Sequence, residues 1–160
     1  MTVARGGRDA GALRVLVLAD DLIWATRLVA QLRTLGTDPV RLRSADAFAA
    51  ALADAPPAGP PSAEPAAKRA MHAVVDLTAR SYDGLAAVRL AATAGLRVLC
   101  VGQHDDHVQR RAALAAGAER VFAYRTLFEN GHATLAAWLG VPAPAPGSLT
   151  APASSKVSAR

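Results

Sequence analysis

The run Leu13–Ala19, apolar but for Arg14, constrains this chain more than any other stretch. It does not alternate, so it reads as a strand buried on both faces, and such strands belong to parallel sheets covered by helices on each side. Directly after it come Asp20 and Asp21. Leu22, Ala25, Leu28, Val29, Leu32 and Leu35 then recur at helical spacing, with Gly36 where a left-handed C-terminal cap is wanted. A first, central strand followed by a helix is expected.

The same alternation of strand and helix repeats. Val40–Arg43 is a weaker second strand, and Ser44 can cap a short helix running to about Ala53. His72–Leu77, Arg97–Val101 and Arg120–Tyr124 read as strands three to five. Leu85–Ala94, a helix capped by Asp105 or Asp106 and ending at Gly117, and a last helix carrying Leu135, Trp138 and Leu139 read as the intervening helices. Five such units predict an α/β fold: a flavodoxin-like, doubly wound, five-stranded parallel sheet in the order 2-1-3-4-5, with helices on both faces. At 160 residues and 52% hydrophobic content, one core is the expectation. The domain is placed at 13–139, between a Gly-rich N-terminus (1–12) and a Pro/Ala/Ser tail (140–160). Within it, 54–70 is an insertion too rich in proline for helix or ladder.

In such a sheet the functional crevice lies beyond the carboxyl ends of the strands, at the switch point between strands one and three. Those ends carry Asp20, Asp21 and Asp76. Here the sequence resembles the receiver domain of two-component response regulators, from about Leu13 to Leu139. Arg14–Asp21 is similar to that family's first strand and acidic cluster, with Ala19 at the first acidic position and Asp20 at the second. Ala73–Leu77 followed by Asp83–Gly84 matches the spacing from a phospho-accepting aspartate to the third helix, and Ala116–Gly117–Ala118 matches a turn before the fifth strand.

The resemblance implies a signalling module with no enzymatic activity of its own. Asp76 would be the phosphoacceptor, and Asp20, Asp76 and the Thr78 carbonyl would hold Mg²⁺, with Asp21 contributing if the first cluster shifts by one residue. It also implies protein partners: a histidine kinase or phosphotransfer protein, and a homodimer through the fourth helix, fifth strand and fifth helix (108–116 and 124–138). The departures are equally specific. The switch hydroxyl position falls on Gly102, the lysine position on Tyr124, and the residue after it is Arg125, which could supply a charge from one place over. The only lysines are Lys68 and Lys156, in the insertion and the tail. Such a chain resembles an atypical or pseudo-receiver. A stand-alone receiver in a phosphorelay, a phosphorylation-independent docking module, and a small-molecule-binding flavodoxin-like domain using Asp20, Asp76 and Tyr124 all remain open.

Other features have simpler readings. His104–Asp105–Asp106–His107 is a capped, solvated helix start, because adjacent side chains point in different directions. Cys100 lies in an apolar strand as a small core residue, and Trp24 and Trp138 are packing residues of the first and last helices. The +5 net charge is spread along the chain with only 4% aromatic residues, which argues against nucleic-acid binding. A lone cysteine and the lack of a long apolar segment point to the cytoplasm and away from a membrane.

Overall fold

The structure is a computed structural model that describes residues 12–54 and 70–143. Residues 1–11, 55–69 and 144–160, which hold nearly all of the expected N-terminal stretch, insertion and tail, lie outside the described residues. The elements run β1 (Arg14–Leu18), α1 (Leu22–Thr34), β2 (Asp38–Leu42), α2 (Ala45–Ala53), β3 (Ala70–Asp76), α3 (Gly84–Thr93), β4 (Arg97–Gly102), α4 (His107–Ala115), β5 (Arg120–Ala123) and α5 (Tyr124–Leu139). All pairings are parallel and the order is β2-β1-β3-β4-β5, the expected doubly wound sheet.

Alternation along the strands sorts side chains between two apolar layers. Val15, Val17, Val74, Leu99 and Val101 pack beneath α1 and α5, together with Trp24 and Trp138. Leu16, Leu18, Ala73, Val75, Val98 and Cys100 pack on the other face with Phe48 and the buried sides of α2, α3 and α4. Each fully buried Leu or Val contributes about 1.5–3 kcal/mol, so the central strands anchor the fold. Burial also pushes the Cys100 thiol up to about 12, which keeps it protonated and inert.

Four helices begin on side-chain caps: Asp21 accepts from the Trp24 amide, Ser44 from Ala47, Asp83 from Ala86 and Asp106 from Gln109. Asp106, and not Asp105, is the α4 cap. The last helix differs: α5 follows β5 without a loop and has no side-chain cap. Tyr124, read from sequence as the end of the fifth strand, is its first residue. The helix is kinked at Asn130 (φ −133°, ψ 28°), where the Gln31 side chain of α1 donates to the Leu127 carbonyl at 3.1 Å. A side chain inserted into the helical ladder is a sufficient cause for such a kink. Gly131 permits the approach, because a Cβ there would lie 2.4 Å from Gln31 Oε1.

Candidate functional site

Asp76 ends β3, the middle strand, and is 1% exposed. Alternation puts it on the same side as Val74, facing α1 and α5, so the first residue of α5 meets it. Its Oδ1 accepts from the Thr78 amide at 2.9 Å, from the Thr78 hydroxyl at 2.9 Å, and from the Tyr124 hydroxyl. The two hydroxyls also touch each other at 2.6 Å. Two protons thus serve three contacts: with Tyr124 donating to Asp76, the Thr78 proton goes either to Asp76 Oδ1 or to the Tyr124 oxygen. Burial first, and then the bond to Asp76, raise the Tyr124 phenol well above its ordinary pKa, so it stays a neutral donor. Trp24 packs edge-on against the Tyr124 ring, with centroids 5.1 Å apart.

A second tyrosine, not singled out by its sequence position, closes the floor. Tyr82 donates to the Leu18 carbonyl at 2.9 Å and the Asp76 carbonyl at 3.1 Å, clasping the ends of β1 and β3. Asp20 faces the loop after β3. Its Oδ2 accepts from the Arg80 amide at 3.0 Å, the Ser81 amide at 3.2 Å and the Ser81 hydroxyl at 3.1 Å. Partial burial would raise the Asp20 carboxyl, but these donors outweigh it and hold the group below the usual carboxylate value.

The other sequence positions separate from this centre. Asp21 is the α1 cap. Gly102 ends β4 on the opposite face, where an added Cβ would make ordinary contact with Gln109 Oε1 at 3.4 Å, and the Gln109 Nε2 donates to the Leu77 carbonyl at 3.0 Å. The adjoining cavity, about 30 Å³ between Leu77, Gly102 and Phe122, has room for a water or two and no more. Arg125 does not supply the missing charge. As the second residue of α5 it points to solvent and pairs with Glu129 at 2.7 Å. His104 and Asp105 are likewise solvated, 3.9 Å apart.

A divalent cation needs several free oxygens converging at 2.0–2.6 Å. Here Asp76 Oδ1 carries three donors, Asp20 Oδ2 three more, and Asp21 caps α1. Ala19, at the remaining acidic position, is buried in the apolar layer. Among the described residues no group of three His, Cys, Asp or Glu side chains could hold a metal ion. Asp20 and Asp76 therefore each meet an Mg²⁺ with one oxygen already engaged, and no third acidic side chain completes the set among the described residues.

Gln109 and Tyr82 were missed because helical and loop spacing reveal neither reach nor direction. The only signal was compositional: a tyrosine just before the Asp83 cap, and a glutamine in the first turn of α4.

No protein-family model and no curated protein matches the sequence. Solved structures do. A response regulator receiver protein from Burkholderia phymatum is 26% identical, covers 82% of this chain and 98% of its own, and superposes with a TM-score of 0.63. The receiver domain of a sensor histidine kinase from Pseudomonas aeruginosa PAO1, with a magnesium ion coordinated in its active-site cleft, is 17% identical over 81% of this chain and 99% of that one, at TM-score 0.59. A Burkholderia pseudomallei response regulator with a phosphorylated aspartic acid, calcium ion and citrate is 20% identical over 79% and 66%, at TM-score 0.61. The chain thus resembles response-regulator receiver domains and shares their flavodoxin-like fold.

Proposed function

We propose that this receiver-fold chain is a signalling module that acts through protein–protein contacts, with a contact surface set by the fold and not by a phosphoryl group on Asp76. The observation that carries this reading is the enclosure of Asp76: its carboxylate is engaged by Thr78 and Tyr124, where the family resemblance would place a lysine. The two lysines of the sequence, Lys68 and Lys156, both lie outside the described residues. Gly102 offers no hydroxyl to couple a phosphoryl group to β4. In this reading the working unit is 13–139 and resides in the cytoplasm. No helix among the described residues is long and apolar enough to cross a membrane.

The contact surface we assign is α4, β5 and α5, for a histidine kinase, a phosphotransfer protein or a second copy of the chain. Exposed apolar side chains support it: Val108 is 72% exposed and Leu114 43% on α4, and Phe128 is 42% exposed on α5.

One observation favours a second reading, a phosphorelay receiver with Asp76 as acceptor: Asp76 stands at the carboxyl end of the middle strand, with Asp83 capping α3 in the register that the resemblance implies. Incubation with acetyl phosphate and Mg²⁺, followed by intact-mass spectrometry of the wild type and Asp76→Asn, decides between them. No adduct, with dimerisation or partner binding unchanged, is the expected result. A phosphate adduct absent from Asp76→Asn, together with a shift in association, would overturn the proposal in favour of the phosphorelay.

A further inference from the structure

The mismatch between the crevice and a divalent cation has a positive counterpart in the way α5 begins. Every other helix starts on a carboxylate or hydroxyl cap, while α5 starts at Tyr124 with Ala123 before it and no side chain serving its free amides. What holds its first turn is the phenol of Tyr124, bound to Asp76 and Thr78 across the sheet. The Trp24 ring packs edge-on from α1 and fixes the plane of that phenol.

We infer that the Tyr124 phenol is a built-in tether that engages Asp76 Oδ1, so the crevice binds no divalent cation and the start of α5 is permanently fixed to β3. This deepens the proposed reading of a surface independent of phosphorylation, and rests on it only for the role of α5 in partner contact. The tether itself is a neutral hydroxyl on a buried carboxylate. It supplies direction and a proton to Asp76 Oδ1, which already accepts from the Thr78 amide and hydroxyl, so that oxygen has no lone pair to offer a hard cation. Asp20 Oδ2 is engaged in the same way by the Arg80 amide and by the Ser81 amide and hydroxyl.

Two measurements on the full chain test this. The first is a titration with Mg²⁺ and with Mn²⁺, followed by calorimetry and by tryptophan fluorescence, since Trp24 touches the tether. Wild type is expected to show no binding at millimolar cation that Asp76→Asn abolishes; such binding would overturn the exclusion. The second is amide hydrogen exchange in Tyr124→Phe. Exchange of residues 128 and 129, the first amides paired to carbonyls inside α5, is expected to speed up at least about tenfold, with β1 and β3 unchanged; wild-type rates there would overturn the tether. Thr78→Val, which keeps the phenol and removes one hydroxyl, is expected to give a smaller increase at the same amides, and keeps the test decisive if Tyr124→Phe folds poorly. Failure of the wider reading looks different: a phosphate adduct on Asp76 that shifts association, with exchange still faster in Tyr124→Phe, would leave the tether standing and remove the docking proposal.

Discussion

At the carboxyl rim of the sheet the buried Asp76 is enclosed by neutral hydroxyls and amides, whereas at the amino rim the buried His72 is enclosed by a charged pair, Arg97 with Glu119. Both residues sit on β3 and both are at least 95% buried. Their surroundings make them respond differently. Arg97 Nη1 lies 3.2 Å from His72 Nε2, which must accept, so the ring proton sits on Nδ1, where no partner is found among the described residues. Burial first, and then Arg97, push the His72 pKa down to about 4, with Glu119 opposing in part. At one rim the tyrosine phenols stay neutral donors, while the other carries a buried imidazole sensitive to acid.

The sharpest way to break this contrast is pH. Between pH 6.5 and about 4 the unfolded chain binds a proton at His72 that the folded chain refuses, so stability falls as pH drops through that window. The loss attributable to His72 is expected to be about 3 kcal/mol, an upper figure, read as the difference in urea-unfolding free energy between the two pH values. His72→Gln should flatten that part of the slope. An unaltered slope in the variant would place the acid sensitivity elsewhere.

A smaller effect is expected at the other rim. Tyr82→Phe removes a hydroxyl bonded to two main-chain carbonyls and should cost about 1 kcal/mol, equally at pH 5 and pH 8, because the Tyr82 phenol is held far above its ordinary pKa by burial and by Asp76. A cost that changed between those pH values would undo the claim that the Tyr82 phenol stays a neutral donor. The smallest belongs to Glu119→Ala. The Arg97–Glu119 pair is bidentate at 2.7 and 2.8 Å but about 40% exposed, so its loss should cost about 0.5 kcal/mol at low salt and less in molar salt.

Much of this was legible in the sequence, for reasons that sit in particular residues. The non-alternating Val15–Ala19 run could only be a doubly covered strand, and once β1 was placed, the spacing to Val74, Asp76 and Asp83–Gly84 fixed the crevice. Counting also reached Gly102 and Tyr124. It did not reach what those positions do, because spacing gives an address and not a direction. That the Tyr124 phenol turns inward to Asp76 while the adjacent Arg125 turns out to Glu129 follows from α5 starting at Tyr124, the residue read from sequence as the end of the fifth strand. The strand-like Arg120–Tyr124 run concealed that boundary, since a helix without a cap leaves no polar residue to announce it. Thr78 was read through its carbonyl, whereas its amide and hydroxyl are what meet Asp76.

The seat of Gln31 in the bend of α5 carries a consequence for descent. A side chain at residue 131 and the amide at residue 31 claim the same space, so neither position is free to drift alone. Lineages that keep this bend will hold a glycine opposite a glutamine, and those that fill residue 131 must shorten residue 31 in compensation. The pair would thus mark kinship between chains whose overall identity has fallen too low to reveal it.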